Sequence, residues 1–175
     1  KILLYNQLNL TAAYFNSQQI RAARDNISGE TYNISGLSVD GYELEVKGDI
    51  GQNFSYVIAS YTSLNGKTQS GGTPREIPEF TFSANAQYQL TNKLNLGFGY
   101  LSQGESLIMD DNEALTLPQY SRLDISGSYS YSERLTLRLH LENLFDELYF
   151  PHAHAMHQVS VGEPFNARVV FSYHF

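Results

Sequence analysis

The sequence has no cysteine, no tryptophan, few charges and no long apolar run, and each shortage removes a class of answer. Without cysteine there is no disulfide, no thiolate nucleophile and no cysteine metal site. Charged residues make up only 17 %, against about a quarter in ordinary globular domains. A water-soluble protein rarely covers its surface with so few charges. A barrel whose outer face meets lipid must keep that face uncharged. The charges that exist are mostly acidic, 18 Asp and Glu against 11 Lys and Arg, for a net −7. That balance argues against a nucleic-acid partner. No apolar stretch approaches the roughly 20 residues of a spanning helix. No leader peptide is visible, and the chain opens on KILLYNQLNL as if cut from something longer.

Alternation of polar and apolar residues is what the sequence has in quantity. At the end of the chain, Ala167, Val169, Phe171, Tyr173 and Phe175 share one face of an extended segment. Asn166, Arg168, Ser172 and His174 share the other, with Val170 the exception. A period of two is a β-strand. The same pattern predicts strands over 7–15, 39–50, 54–63, 80–90, 94–101, 120–131, 135–145 and 165–175. The faces of 54–63 are the least distinct. No amphipathic helix is predicted. Short connections at 51–53, 91–93 and 132–134 alternate with long polar ones at 16–37, 65–79, 102–119 and 146–164.

Short turns on one side and long loops on the other describe an all-β, antiparallel transmembrane β-barrel of the outer-membrane type. Strands of about ten residues, tilted, have the length needed to cross the apolar layer. Lipid offers no hydrogen-bond partners, so the sheet cannot leave an open edge facing it. The turns and Phe175 are expected on the periplasmic side and the loops outside. Tyr and Phe cluster near strand ends, where an aromatic girdle would lie. A soluble sandwich or barrel also alternates and stands as the alternative.

The second face is wet. It carries Glu43, Glu45, Lys47, Asp49, Asn85, Gln87, Gln89, Arg122, Asp124, Arg138, His140 and Glu142, interspersed with Ser83, Gly97, Gly99, Ser126 and Ser128. An eight-stranded barrel has an interior that side chains must fill. Such small residues would leave it under-filled and suit a wider barrel, or a wall on which another domain packs.

Four segments carry a family resemblance. They are Gly41-Tyr42-Glu43-Leu44-Glu45; Leu117-Pro118-Gln119-Tyr120 followed by Arg122-Leu123-Asp124; Glu142-Asn143-Leu144-Phe145-Asp146-Glu147 with Tyr149; and Gly162-Glu163-Pro164 leading to the strand that ends in Phe175. The chain resembles the C-terminal part of a TonB-dependent outer-membrane receptor, nearest to the ferric siderophore receptors. The resemblance implies the last eight strands of a barrel of about twenty-two. It also implies that a lumenal plug domain and the remaining strands lie outside this sequence. The implied partners are outer-membrane lipid and lipopolysaccharide, a ferric siderophore of catecholate-like type, and an inner-membrane energy-coupling protein reached through the absent part. Iron would arrive only as a chelate, so neither a cofactor nor a protein-ligated metal is expected.

Candidate ligand contacts lie in the long connections. His152, His154 and His157 stand in PHAHAMHQ, and with Tyr149 they could hydrogen-bond the anionic oxygens of a chelate. The resemblance points to the same stretch, Tyr149 through His154. The competing reading is a polar loop whose histidines pack locally. Arg21, Arg24 and Arg75 could attract an anionic chelate, or simply keep loops soluble. Asp110, Asp111 and Glu113 could hold calcium or bridge lipopolysaccharide, or form a solvated acidic loop. Asn143 to Asp146 reads as a strand terminator. No catalytic constellation is visible. Two alternatives remain: a small autonomous eight-stranded barrel with a structural or adhesive role, and a lipid-modifying barrel enzyme built around His140.

Overall fold

The computed structural model describes every residue except 1, 5 to 7, 26 and 52, so the residues Gln7 and Gln52 of an expected strand and turn lie outside it. Eight long strands follow the expected order: β2 (Leu8–Arg24), β3 (Thr31–Ile50), β4 (Phe54–Lys67), β5 (Phe80–Gln89), β6 (Leu94–Gln103), β9 (Tyr120–Ser130), β10 (Leu135–Glu142) and β13 (Asn166–Tyr173). A three-residue β1 (Ile2–Leu4) pairs with the start of β2 and was not anticipated. Two short hairpins lie in loops: β7 (Ser106–Leu107) with β8 (Thr116–Leu117), and β11 (Ala153–Ala155) with β12 (Gln158–Val159). The nine strands outside these hairpins form one antiparallel sheet in the order β1-β2-β3-β4-β5-β6-β9-β10-β13.

Register turns the sequence alternation into two continuous faces. Leu96, Gly127, Leu139 and Val169 lie in one cross-strand row. Val57, Ala86, Phe98, Ile125, Leu141 and Ala167 make another. The intervening rows are polar, as in Gln87, Gly97, Ser126, His140 and Arg168. The indistinct strand, β4, sets Val57, Ala59 and Tyr61 on the apolar face and Ser60 and Thr62 on the polar one. Its faces blur because Ile58 falls among the polar rows and the pairing slips between Phe54 and Tyr56.

The apolar face is uncovered. Leu139 is 42 % exposed, Val169 52 % and Phe171 69 %. Keeping one such side chain in water instead of an apolar medium costs about 1.5–3 kcal/mol, and this face carries many. Tyr14, Tyr42, Tyr61, Phe82 and Tyr100 band its loop end, with Tyr14 and Tyr42 centred 5.1 Å apart. Tyr88, Tyr129 and Tyr173 band its turn end. At roughly 3.3 Å per residue, Tyr100 and Leu94 of β6 stand about 20 Å apart, close to the height of a lipid-facing band.

Two expectations are corrected, and two alternatives fall. The connection expected over 16–37 is mostly strand: β2 and β3 stay paired as far as Arg24 and Thr31. Beyond the aromatic row both faces of this ribbon meet water, so polar residues stand on both and the period of two disappears. β4 likewise runs on to Lys67, past the expected end at 63. The sheet is also open. Among the described residues no pairing joins β1 or β2 to β13, so it does not form the small closed barrel of the alternative reading. The soluble sandwich fails as well, because among the described residues no second sheet covers the apolar face.

Candidate ligand-binding crown

The loops at the end of the sheet opposite the short turns fold into a crown, and the buried side chains of the described residues gather there. Ile108, just after β7, and Leu117 of β8 cluster with Ala153 of β11, and Leu115, Phe150 and Val159 pack around them. This small core ties the two loop hairpins to each other.

A dense set of hydrogen bonds holds the crown where β10 ends. Asn143 adopts a left-handed backbone, φ 50°, and terminates the strand. Its side chain is 1 % exposed and fully bonded. The amide nitrogen donates to the carbonyls of Glu147 and Glu163, each at 2.9 Å, and the amide oxygen accepts the Glu147 N–H at 2.9 Å. Its backbone N–H donates to Asp124 Oδ1 at 2.9 Å. Asp146 is also left-handed, φ 53°, and its carboxylate accepts the Phe165 N–H at 2.8 Å. The Asn143–Asp146 segment therefore ends a strand, as expected, and also clamps both ends of the loop that follows. Phe145 and Leu148 remain exposed.

Arg122 and Tyr149 form the second attachment. From β9, the Arg122 guanidinium donates to Asp124 Oδ2 at 2.8 Å and to the Tyr149 hydroxyl at 3.0 Å. The Tyr149 ring is 5 % exposed and stacks on Tyr120 with centroids 4.7 Å apart. Gly162 closes over it, its N–H donating to the Tyr149 carbonyl at 2.8 Å, and a Cβ there would overlap the ring. Tyr149, a sequence-predicted ligand contact, thus has its hydroxyl committed to Arg122.

The histidines are outward. His152, His154 and His157 are all exposed, on or beside the β11–β12 hairpin. His152 Nε2 lies 2.9 Å from the Ser160 hydroxyl. Arg75 reaches the same hairpin, its Nη1 3.5 Å from the His154 carbonyl. The structure therefore brings Arg75 and the His hairpin together. Arg24 is elsewhere, at the tip of the β2–β3 ribbon, where Nε donates to the Gly29 carbonyl at 3.1 Å. The side chain of Arg21 lies outside the described part.

Arg75 also borders an open cleft of about 870 Å³ between the β2–β3 ribbon and the loops after β4 and β7. Asp110, Asp111 and Glu76 line that cleft with it, so it is a mixed-charge surface and not a purely cationic trap. Both aspartates hold loops: Asp110 Oδ1 accepts the Arg75 N–H at 2.8 Å and Asp111 Oδ2 accepts the Ser70 hydroxyl at 3.1 Å. Among the described residues no group of three or more His, Asp or Glu side chains is placed to hold a metal ion.

A family model for the β-barrel of TonB-dependent receptor-like proteins matches residues 1–144. The chain is 29 % identical over 178 residues to the probable TonB-dependent siderophore receptor PiuA of Acinetobacter baumannii, covering 91 % of this chain and 24 % of that protein. It is 30 % identical over 159 residues to the catecholate siderophore receptor Fiu of Escherichia coli K12, covering 84 % and 21 %. It is 27 % identical over 184 residues to the ferripyoverdine receptor of Pseudomonas aeruginosa, covering 93 % and 22 %. Among solved structures, that of PiuA superposes with a TM-score of 0.82 at 24 % identity, over 98 % of this chain and 26 % of PiuA, and shows the shared fold. The closed form of Fiu superposes with a TM-score of 0.80 at 25 % identity, over 99 % and 26 %. The chain spans about a quarter of the length of these relatives.

Proposed function

This chain belongs to the family of TonB-dependent receptor β-barrels, and from that premise we propose that it forms one part of the wall of an outer-membrane receptor that takes up a ferric siderophore. The observation that carries the reading is a single sheet with one bare apolar face, two unjoined edges and an ordered crown at one end. Hydrocarbon satisfies the face. Further strands must satisfy the edges, because an unpaired backbone group in lipid costs several kcal/mol. On this reading the polar face looks into a lumen. Gly97 and Gly99 of β6 open a trough of about 260 Å³ there, bordered by Gln87, Ser126 and His140, which suits a domain packed against the wall. Such a domain would carry the link to an inner-membrane energy-coupling protein. Neighbours of the wall would be membrane lipid and lipopolysaccharide.

The ligand enters from the crown side. Exposed imidazoles at His152, His154 and His157 present hydrogen-bond donors, and Arg75 beside them a positive charge, to the anionic oxygens of an iron chelate. The relatives include a receptor for catecholate siderophores and one for ferripyoverdine, so both chelate types belong in the test. In the full-length receptor, changing His152, His154 and His157 together to Ala is expected to weaken binding of a ferric chelate at least several-fold. The measurement is equilibrium binding in detergent across ferric tris-catecholate complexes and ferripyoverdine. Unchanged affinity for every chelate that the parent binds would remove the hairpin from the site.

A further inference from the structure

We infer that Arg122 is a positioning residue: acting through the Tyr149 hydroxyl, it holds the His-bearing hairpin in one orientation against the sheet. The inference rests on the reading that this hairpin meets the chelate. The loop between β10 and β13 is bonded at Asn143, Asp146 and Tyr149, and its hairpin also packs on the β7–β8 hairpin through Ala153. Asn143 and Asp146 clamp its two ends, which return to the same strand terminus. These bonds hold the loop's base; its middle is steadied by the Ala153 cluster and by Gln103 and Arg75 at the Pro151 and His154 carbonyls, and it is joined to β9 through Tyr149. Three residues past Tyr149 stands His152, and the Tyr149 carbonyl and the His152 carbonyl accept the N–H groups of Gly162 and Ser160, which run back along the hairpin. Tyr149 is thus the root of the β11–β12 ladder.

What holds the root is a contact made by the wall. Arg122 lies on the polar face of β9, opposite Leu101 of β6. One arm of its guanidinium is fixed by Asp124 at 2.8 Å and another meets the Tyr149 hydroxyl at 3.0 Å. Asp124 uses its second oxygen on the Asn143 N–H, so one carboxylate couples the arginine to the clamp. A planar, forked cation can make both contacts in a fixed geometry, which a lysine cannot. Arg122 Nε is buried without a partner among the described residues. A buried donor left unpaired costs free energy, and its retention fits a guanidinium held in place for the bonds its two terminal nitrogens make.

Tyr149→Phe in the full-length receptor tests this. It removes the hydroxyl and keeps the ring that stacks on Tyr120 and fits beneath Gly162. A nitroxide label on Gln158→Cys, an exposed position of β12 with no proposed ligand role, in a background with no other cysteine, reports the motion of the hairpin. Ferric tris-catecholate complexes and ferripyoverdine serve as binding probes. Expected results are a more mobile label, a loss of affinity on the order of tenfold, as one charge-assisted hydrogen bond would produce, and unchanged heat stability of the folded barrel. Arg122→Lys should match Tyr149→Phe, and combining the two should add little, because both remove one contact. A label equally immobile in Tyr149→Phe overturns the inference. So does a double variant whose effects simply add. A mobile label with unaltered affinity leaves the positioning role standing and overturns the chelate contact on which its purpose rests.

Discussion

The wall and the crown of this molecule, joined at the strand ends, treat their apolar side chains in opposite ways. In the wall, Leu139, Val169 and Phe171 stand exposed and the order comes from backbone ladders between strands. In the crown, Asn143, Tyr149 and Ala153 are almost wholly enclosed and the order comes from side-chain bonds and a small apolar cluster. The wall carries its apolar residues toward a solvent that this chain does not supply. The crown, which stands in water, must make its own interior. The difference teaches where each part takes its stability: the wall from lipid and neighbouring strands, the crown from contacts within this chain.

The largest expected break of that contrast comes from charging the wall. Leu139→Arg in the full-length receptor should destabilise the barrel in lipid by about 2–4 kcal/mol, the cost of a cation near the bilayer midplane. Ser128→Arg, on the polar face, should cost far less. Urea titration of the folded protein in vesicles distinguishes them, and equal effects would mean that the faces are assigned the wrong way round.

A smaller effect, confined to the crown, is expected from Asn143→Ala. It strands buried partners at Glu147 and Glu163 and places a β-carbon residue without amide compensation at φ 50°. The local cost is roughly 2–3 kcal/mol. It should appear as faster hydrogen exchange or proteolysis over residues 143–165, with the wall's unfolding midpoint unmoved.

The smallest effect concerns the tip of the β2–β3 ribbon. Asp25 Oδ1 accepts the N–H groups of Ile27 and Ser28, each at 2.7 Å. These backbone bonds hold its carboxyl below the usual carboxylate value. A lowered folded-state pKa means that the turn's extra stability is full above the unfolded value and fades as pH falls through the folded one. Tip order, read by exchange of the Ile27 and Ser28 amides, should therefore persist at neutral and mildly acid pH and weaken only below the ordinary carboxylate range. Asp25→Asn should abolish that pH dependence.

The reading from sequence succeeded where environment alternates residue by residue. Phe80 through Gln89 meet lipid and water in turn, so strand, face and approximate ends could be read directly. It failed where both faces meet the same solvent. Gln18 through Arg24 and Thr31 through Leu37 pair as strands, yet their polar composition looks like loop. The candidate site divides the same way. The histidines were visible as an unusual cluster in a long connection, and Arg75 as a lone cation beside one. That Arg75 lies against the His154 carbonyl, and that Tyr149 is enclosed and not presented, could not be read. The segments Arg122-Leu123-Asp124 and Asn143 to Tyr149 stood out as motifs, but nothing in their spacing says that they bond to each other.

What the sequence alone determined here is the wall: an all-β chain, short turns at one end, long loops at the other, one dry face and one wet. A two-residue period is a local property, legible wherever each residue's surroundings differ from its neighbour's. Only the tertiary structure decided the crown and the open edges. Those depend on which distant segments return to meet, Glu163 to Asn143, Tyr149 to Arg122, and on β13 and β1 staying unpaired with each other among the described residues. Such contacts are set by the path of the whole chain through space, and no local pattern encodes them.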